Sequence, residues 1–220
     1  MSSEKSSPQI WSSALILAAL AAICTALVAV TYRTAAPRIA ANEQAFLEQS
    51  LAPVLAGLSY DGKLSESTLI IPVPHSLPGD APVTVYRVFA NEQPVAALFV
   101  VSARDGFTGP IKLLVGVAAS GALTGVRVLE HKETPGLGDL IDSSRSDWIL
   151  QFSGRSLGKP EVSRWAIRRD GGDFDQLTGA SITPRAVVKA IKETLLYFET
   201  HRDEVFARNT ATADAGAEQE

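Results

Sequence analysis

The segments "VTVYRVFA" (residues 83–90) and "PVAALFVVS" (94–102), separated by only three residues, decide the fold. Two similar segments follow, "GPIKLLVGVAAS" (109–120) and "ALTGVRVLEH" (122–131), separated by one glycine. All four are rich in β-branched, aliphatic and aromatic residues and are bounded by turn-forming residues, a composition typical of strands joined by short turns. This region therefore predicts an antiparallel sheet of about four strands.

A helix is predicted after the sheet. Thr183 is expected at its N-cap and Pro184 at its first helical position, the places that these residue types favour. Mostly apolar residues then recur at helical spacing: Val187, Ala190, Ile191, Thr194, Leu195 and Phe198. This helix is expected to pack one face on the sheet, which gives an α+β fold.

Two shorter elements are predicted between the sheet and this helix. The segment "SRSDWILQF" (144–152) indicates a short helix with Ser144 or Ser146 as its cap and Asp147 in its first turn. The segment "RWAIRR" (164–169) is interpreted as a further strand.

Residues 12–31 contain no charged side chain and would form a helix of about 30 Å, the thickness of a membrane hydrocarbon core. A retained membrane span is favoured over a cleaved signal peptide, because Arg33 and Arg38 lie where cleavage would occur. A second helix is expected to follow, and four prolines argue against regular structure in residues 58–82. The predicted organisation is a cytoplasmic tail (1–10), a transmembrane helix (11–32), a juxtamembrane helix and connection (33–82), a folded domain (83–206) and a disordered tail (207–220).

Composition excludes several classes of protein. The formal net charge is −4 and the 20 basic residues are scattered, so a nucleic-acid partner is not expected. The only cysteine, Cys24, lies in the apolar segment, which excludes an intrachain disulfide or a thiolate-held metal cluster built by this chain. The three histidines lack metal-ligand spacing, so no metal site is expected. The common nucleotide-binding and hydrolase motifs are absent.

Three unusual turns remain: "RDGFTGPIKL" (104–113), "EHKETPGLGD" (130–139) and "DQLTGASITP" (175–184). Their glycines allow backbone amides to approach a flat ligand closely, although an ordinary loop has the same composition. The third turn places the hydroxyls of Thr178 and Ser181 just before a predicted helix start, a position that favours a bound anion. Each of these hydroxyls is a candidate attachment point, as is that of Thr183.

The motifs "GFTGPI", "HKETPGLG" and "DQLTGASIT", in this order after one N-terminal apolar segment, resemble the FMN-binding domain of the G-subunit family of the Rnf electron transport complex (RnfG, also called RsxG). A sister family is the C subunit of the sodium-translocating NADH:quinone reductase. The resemblance covers nearly the whole chain apart from its tail. It implies a membrane-anchored flavoprotein subunit that relays electrons in ion-coupled transfer between ferredoxin and NAD.

In that family a flavin transferase takes FAD and esterifies FMN, through its phosphate, to the last residue of the motif S-G-A-T. The corresponding residue here is Ser181, where the family usually has threonine, and serine supplies the same hydroxyl nucleophile. Asp175 corresponds to the acidic residue that the transferase recognises. The resemblance implies an FMN site formed by the following residues: Glu133, Thr134, Gly136, Leu137, Gly138, Thr178, Gly179, Ala180, Ser181 and Thr183.

The same resemblance implies a location and partners. The chain is expected to cross a bacterial inner membrane once and to place its soluble domain on the periplasmic side. The expected partners are the other Rnf membrane subunits, the flavin transferase and the lipid bilayer. Two alternatives remain open: a quinone-reductase C subunit, and a membrane anchor or assembly subunit that carries no flavin.

Overall fold

The computed structural model describes residues 8–58, 60 and 67–207. The chain divides into two compact units, Met1–Glu48 and Gln49–Glu220. The predicted tails, 1–10 and 207–220, lie almost entirely outside the described residues, and both remain predictions.

The second unit is built on a five-stranded sheet in which each strand pairs antiparallel with the next along the chain. The strands are β1 (Thr68–Ile71), β2 (Val83–Ala90), β3 (Gln93–Ala103), β4 (Ile111–Ala118) and β5 (Leu123–Glu130). The predicted α+β fold is confirmed, and β2 to β5 are the four predicted strands. The expectation that residues 58–82 lack regular structure was wrong for β1, which ends directly before the first proline of that segment.

The turn between β2 and β3 shows how tightly the sheet is connected. Asn91 and Glu92 both have positive φ, at 47° and 65°, and Ala90 pairs with Gln93 across the turn. Two successive residues with positive φ match the right-handed twist of the strands that they join. The short connection therefore fixes the register of the sheet's central hairpin.

Helix α2 (Ile182–Phe206) packs on one face of the sheet. Residues of both elements form the main apolar core, among them Phe99, Val115, Val187 and Phe198. The predicted cap was wrong: Ser181 occupies the N-cap position, and Thr183 lies inside the first turn with only 1% of its surface exposed. The physical reason is that the Thr183 hydroxyl bonds a buried carboxylate instead of the helix backbone.

The predicted short elements are tighter than expected. A 3-10 helix at Trp148–Phe152 takes the place of the predicted helix, and the Trp148 N–H donates to the Ser146 hydroxyl at 3.1 Å. The strand predicted at residues 164–169 was wrong. Two 3-10 helices, Val162–Arg164 and Arg168–Asp170, flank the buried Ile167 in this segment.

Helix α1 (Pro8–Val54) is continuous across the predicted boundary between the transmembrane and juxtamembrane helices. Its stretch Trp11–Ile39 is long and apolar enough to cross a membrane, and an 18-residue window of it has a mean hydropathy of 2.6 and no buried residue. The last turn of α1 belongs to the second unit, where Val54 is fully buried. Val54 lies against Gly116 and Gly125, on the sheet face opposite to the main core.

Candidate functional site

The three turns singled out in the sequence meet at the carboxylate of Glu133, of which only 4% is exposed. Its Oε1 accepts a hydrogen bond from the backbone N–H of Thr108 at 3.1 Å, in the first turn. Its Oε2 accepts one from the hydroxyl of Thr183 at 2.5 Å, in the third turn. The backbone N–H of Glu133 itself donates to Nδ1 of His131 at 3.1 Å. Glu133 therefore ties together loops that are distant in sequence.

Gly138 allows this arrangement because it leaves no room for a side chain. A Cβ at this position would lie 2.8 Å from Glu133 Oε2 and 3.0 Å from Thr183 Oγ1. Atoms of real side chains do not approach so closely, so any larger residue would push Glu133 and Thr183 out of place. The close packing around Glu133 and Thr183 therefore explains why residue 138 is a glycine.

The second turn, residues 130–139, has an exposed edge next to the buried Glu133 carboxylate. The carbonyl oxygen of Thr134 accepts from the N–H groups of Leu137 and Gly138, at 3.2 and 3.1 Å. Gly136 has a φ of +78° and is exposed, and Leu137 exposes 42% of its surface. A Cβ on Gly179 would lie 3.0 Å from Cδ2 of Leu137, so the second and third turns are adjacent.

The third turn, residues 175–184, is held by hydrogen bonds to the 3-10 helix Trp148–Phe152. The indole Nε1–H of Trp148 donates to the carbonyl oxygen of Asp175 at 2.7 Å, and the Asp175 N–H donates to Gln151 Oε1 at 2.8 Å. Trp148 also packs edge-to-face on Phe152, so it belongs to the core. A bridge between Leu177 and Ala180 then closes the turn.

Ser181 is partly exposed at the end of this turn, and its side chain makes no capping bond to helix α2. Its Oγ instead accepts a hydrogen bond from Nη1 of Arg169 at 3.1 Å. Thr178 and Gly179 are exposed, and Ala180 is partly exposed. The N-terminus of α2 and one guanidinium therefore converge on a reachable hydroxyl.

Two cations near the start of α2, Arg185 and Lys189, are each paired with a carboxylate. Arg185 binds Asp170 through two hydrogen bonds of 2.5 and 2.7 Å, and Lys189 binds Asp105 at 2.6 Å. The hydrogen bond from Arg185 holds the pKa of Asp170 below its usual value, and Lys189 does the same to the pKa of Asp105.

Asp175 is likewise paired, with Arg168 at 3.0 Å, although its side chain remains exposed. Together with Arg169 and Gln176, this pair lines an open surface cavity next to the third turn. The acidic residue is therefore accessible to another protein. Sequence reasoning missed Arg169, because nothing in a spacing of twelve residues predicts its contact with Ser181.

The arrangement suits a phosphate ester better than a metal ion. Over residues 8–58, 60 and 67–207, no group of three His, Cys, Asp or Glu side chains could hold a metal. A partly exposed hydroxyl beside a guanidinium and a helix N-terminus suits a bound anion. Exposed Leu137 and the neighbouring glycines offer an apolar edge and open backbone to an attached group.

Comparison with known proteins gives consistent matches over both units. Residues 106–196 match the FMN-binding domain family, and residues 1–54 match the RnfG N-terminal region. A protein from Pseudoalteromonas atlantica is 40% identical over 193 residues, covering 88% of this chain and 90% of its own length. One from Pseudomonas aeruginosa is 42% identical, covering 90% of this chain and 92% of its own length. Both are named as the G subunit of an ion-translocating oxidoreductase complex.

Proposed function

The chain belongs to the family of G subunits of the ion-translocating oxidoreductase complex, and we propose that it relays electrons through an FMN bound covalently to Ser181. The observation that carries this proposal is the contact of the Ser181 hydroxyl with Arg169, at the start of α2 and inside the FMN-binding domain. Bound FMN would supply the one- and two-electron chemistry, and the protein would hold and orient it.

The attachment is a transfer of a phosphoryl group from FAD by a flavin transferase. A bond forms between Ser181 Oγ and the phosphorus of the FMN half, the pyrophosphate bond breaks, and AMP leaves. The hydroxyl proton passes to a base or to solvent. Asp175, exposed beside the third turn, is the proposed contact for the transferase.

Two other hydroxyls of the motif are weaker candidates on physical grounds. The Thr183 hydroxyl is buried and donates to Glu133, so its modification would break the centre of the site. The Thr178 hydroxyl is exposed and comes three residues before Ser181 in the sequence. The geometry supports Ser181 because this hydroxyl is reachable and already in contact with a cation.

The flavin ring is proposed to lie along the edge formed by the second and third turns. Thr134, Gly136 and Leu137 are exposed there, next to Gly179 and Ala180. Buried Glu133 and Gly138 would support this edge from inside, and the Glu133 side chain would not face the ring. The loops come from rigid strands and helices, which suits a group that must be held in one place.

We place the soluble unit on the periplasmic side of a bacterial inner membrane, with Trp11–Ile39 as the single span. The other Rnf membrane subunits would be its partners, in electron transfer between ferredoxin and NAD that is coupled to ion movement. The match of residues 1–54 to the RnfG N-terminal region favours this family over the quinone-reductase C subunit. No independent catalysis by the isolated chain is expected.

The attachment is tested by co-expressing the full chain with a flavin transferase and examining the denatured protein for flavin fluorescence. We expect a fluorescent band, and a peptide mass that places FMN on Ser181. Ser181→Ala should abolish both, Ser181→Thr should preserve them, and Ser120→Ala, at an exposed hydroxyl outside the three turns, is the control that stays fluorescent. A wild-type band without flavin would contradict the proposal and favour an anchor or assembly subunit.

The proposed orientation is tested with alkaline phosphatase fused to the C-terminus, because this enzyme becomes active only outside the cytoplasm. An active fusion in intact cells is expected. An inactive fusion whose full-length product is present in the membrane fraction would refute the periplasmic placement.

A further inference from the structure

The arginines around the third turn differ in whether they form an ion pair with a carboxylate. Arg164 pairs with Asp173, Arg168 pairs with Asp175, and Arg185 pairs with Asp170. Arg169, in the middle of this group, has no ion pair among the described residues, and its hydrogen bond goes to the Ser181 hydroxyl. Its charge is therefore available to an anion at that hydroxyl.

This contact is built by the backbone on both sides. The N–H of Arg168 donates to the carbonyl oxygen of Phe174 at 2.8 Å, which closes the loop that carries Arg169. Gly172 lies so close to Ala166 that an added Cβ would be 1.8 Å from its carbonyl oxygen, so this closure requires glycine. The two bonds between Asp170 and Arg185 then fasten the loop to the first turn of α2. Arg169 is therefore held beside Ser181 by several independent interactions.

From this geometry we infer that Arg169 binds the phosphate of the group esterified to Ser181 and so positions it during and after attachment. The inference rests on the proposed function. A phosphodiester retains one negative charge, and its unesterified oxygens are joined to Oγ through phosphorus, two bonds away, within reach of the same guanidinium. The guanidinium of an arginine can donate to two such oxygens at once. Before modification, the Ser181 hydroxyl accepts from only one of the Arg169 N–H donors.

The first test measures the initial rate of flavin transfer from FAD to the purified full chain in detergent, with purified transferase. Arg169→Ala should be slower by roughly tenfold, the factor that corresponds to 1.4 kcal/mol. Arg169→Lys should recover most of the rate, because it keeps the charge. Arg202→Gln is the control, since it removes a positive charge from an exposed position late in α2, away from the loop that carries Arg169. Near-UV circular dichroism of the tryptophans checks that each variant is folded.

A second measurement separates phosphate binding from recognition by the transferase. In folded, loaded protein with the transferase removed, the ³¹P resonance of the phosphodiester should move in Arg169→Ala and stay in place in Arg202→Gln. A variant that does not load even on long incubation, while Arg169→Lys does, also supports the inference.

The inference is overturned if Arg169→Ala loads at the wild-type rate with an unchanged ³¹P resonance, or if it slows no more than Arg202→Gln. If Arg169→Lys loads as slowly as Arg169→Ala, a role for the charge is excluded. If Arg169→Ala loads slowly but its ³¹P resonance does not move, Arg169 acts in recognition by the transferase and not in phosphate binding. If wild type itself acquires no flavin, it is the proposed function that fails, and the role of Arg169 falls with it.

Discussion

Glu133 is buried, and its carboxylate connects the turns of the candidate site through hydrogen bonds. A buried charge is tolerated only where hydrogen bonds replace the lost water, and here the Thr108 N–H and the Thr183 hydroxyl supply them. The family resemblance alone implied that Glu133 contacts the flavin ring. The structure shows that its side chain also joins the first and third turns through hydrogen bonds, and its contact with a flavin stays a prediction.

Replacing Thr183 by valine should destabilise the soluble unit, because Glu133 Oε2 would lose its hydroxyl donor while remaining buried. We expect the free energy of unfolding to fall by about 1–3 kcal/mol, the usual cost of an unsatisfied buried polar group. Urea unfolding of the full chain in detergent, followed by near-UV circular dichroism, measures this change. Thr178→Val is the control, because Thr178 is exposed and its substitution should change stability by less than about 0.5 kcal/mol. Equal losses in the two variants would contradict a special role for Thr183.

The 3-10 helix Arg168–Asp170 and helix α2 form one supporting framework around Ser181. Their connection is the ion pair between Asp170 and Arg185, in which the pKa of Asp170 is lowered chiefly by the hydrogen bond from the guanidinium. A carboxyl whose pKa is lower in the folded than in the unfolded chain stabilises the fold above its unfolded pKa, about 3.9 for aspartate. That contribution is lost as the pH falls through the folded pKa.

Asp170→Asn should therefore lower the melting temperature at pH 7 and have no effect at a pH low enough to protonate Asp170 in the wild-type protein. Thermal unfolding of both proteins between pH 2 and pH 7 measures the difference directly. Asp203→Asn, at an exposed position late in α2, is the control and should leave the melting temperature unchanged at pH 7. A difference between wild type and Asp170→Asn that persists at low pH would show that the amide acts through something other than this ion pair.

The strands and the last helix could be predicted from the sequence because their signals are local: long β-branched runs, short turns, and a helical apolar repeat. The segment 164–169 misled the same reasoning. Its buried Trp165 and Ile167 are two residues apart and flanked by arginines, as in a strand, but a bridge from Ile167 to Phe174 folds the chain into tight turns. The contact between Arg169 and Ser181 could not be predicted either. The bridge from Ile167 to Phe174 brings Arg169 to Ser181, and no repeat in the sequence indicates this contact.

Across the whole molecule, helix α1 has two different tasks along its length. The segment Trp11–Ile39 is apolar over most of its length and contains no buried residue, which suits a membrane span. The last turn instead covers the second face of the sheet, where an added Cβ on Gly116 would lie 2.3 Å from Val54 Cγ1. Leu51, Val54 and Leu55 are almost fully buried there, at 4%, 0% and 3% exposure. The fold of the soluble unit therefore depends on a piece of the same helix that holds it to the membrane.

Two shortened chains should separate these tasks. A chain that begins at Gln49 should leave the membrane fraction and keep the melting temperature of the soluble unit, because it retains the buried last turn. A chain that begins at Gly57 should also be released but be much less stable, since each lost buried side chain contributes about 1.5–3 kcal/mol. Alkaline washing of membranes tests release, with the full chain expected to stay in the pellet, and near-UV circular dichroism on heating tests stability. Equal melting temperatures for the two shortened chains would mean that the last turn of α1 covers the sheet without stabilising it.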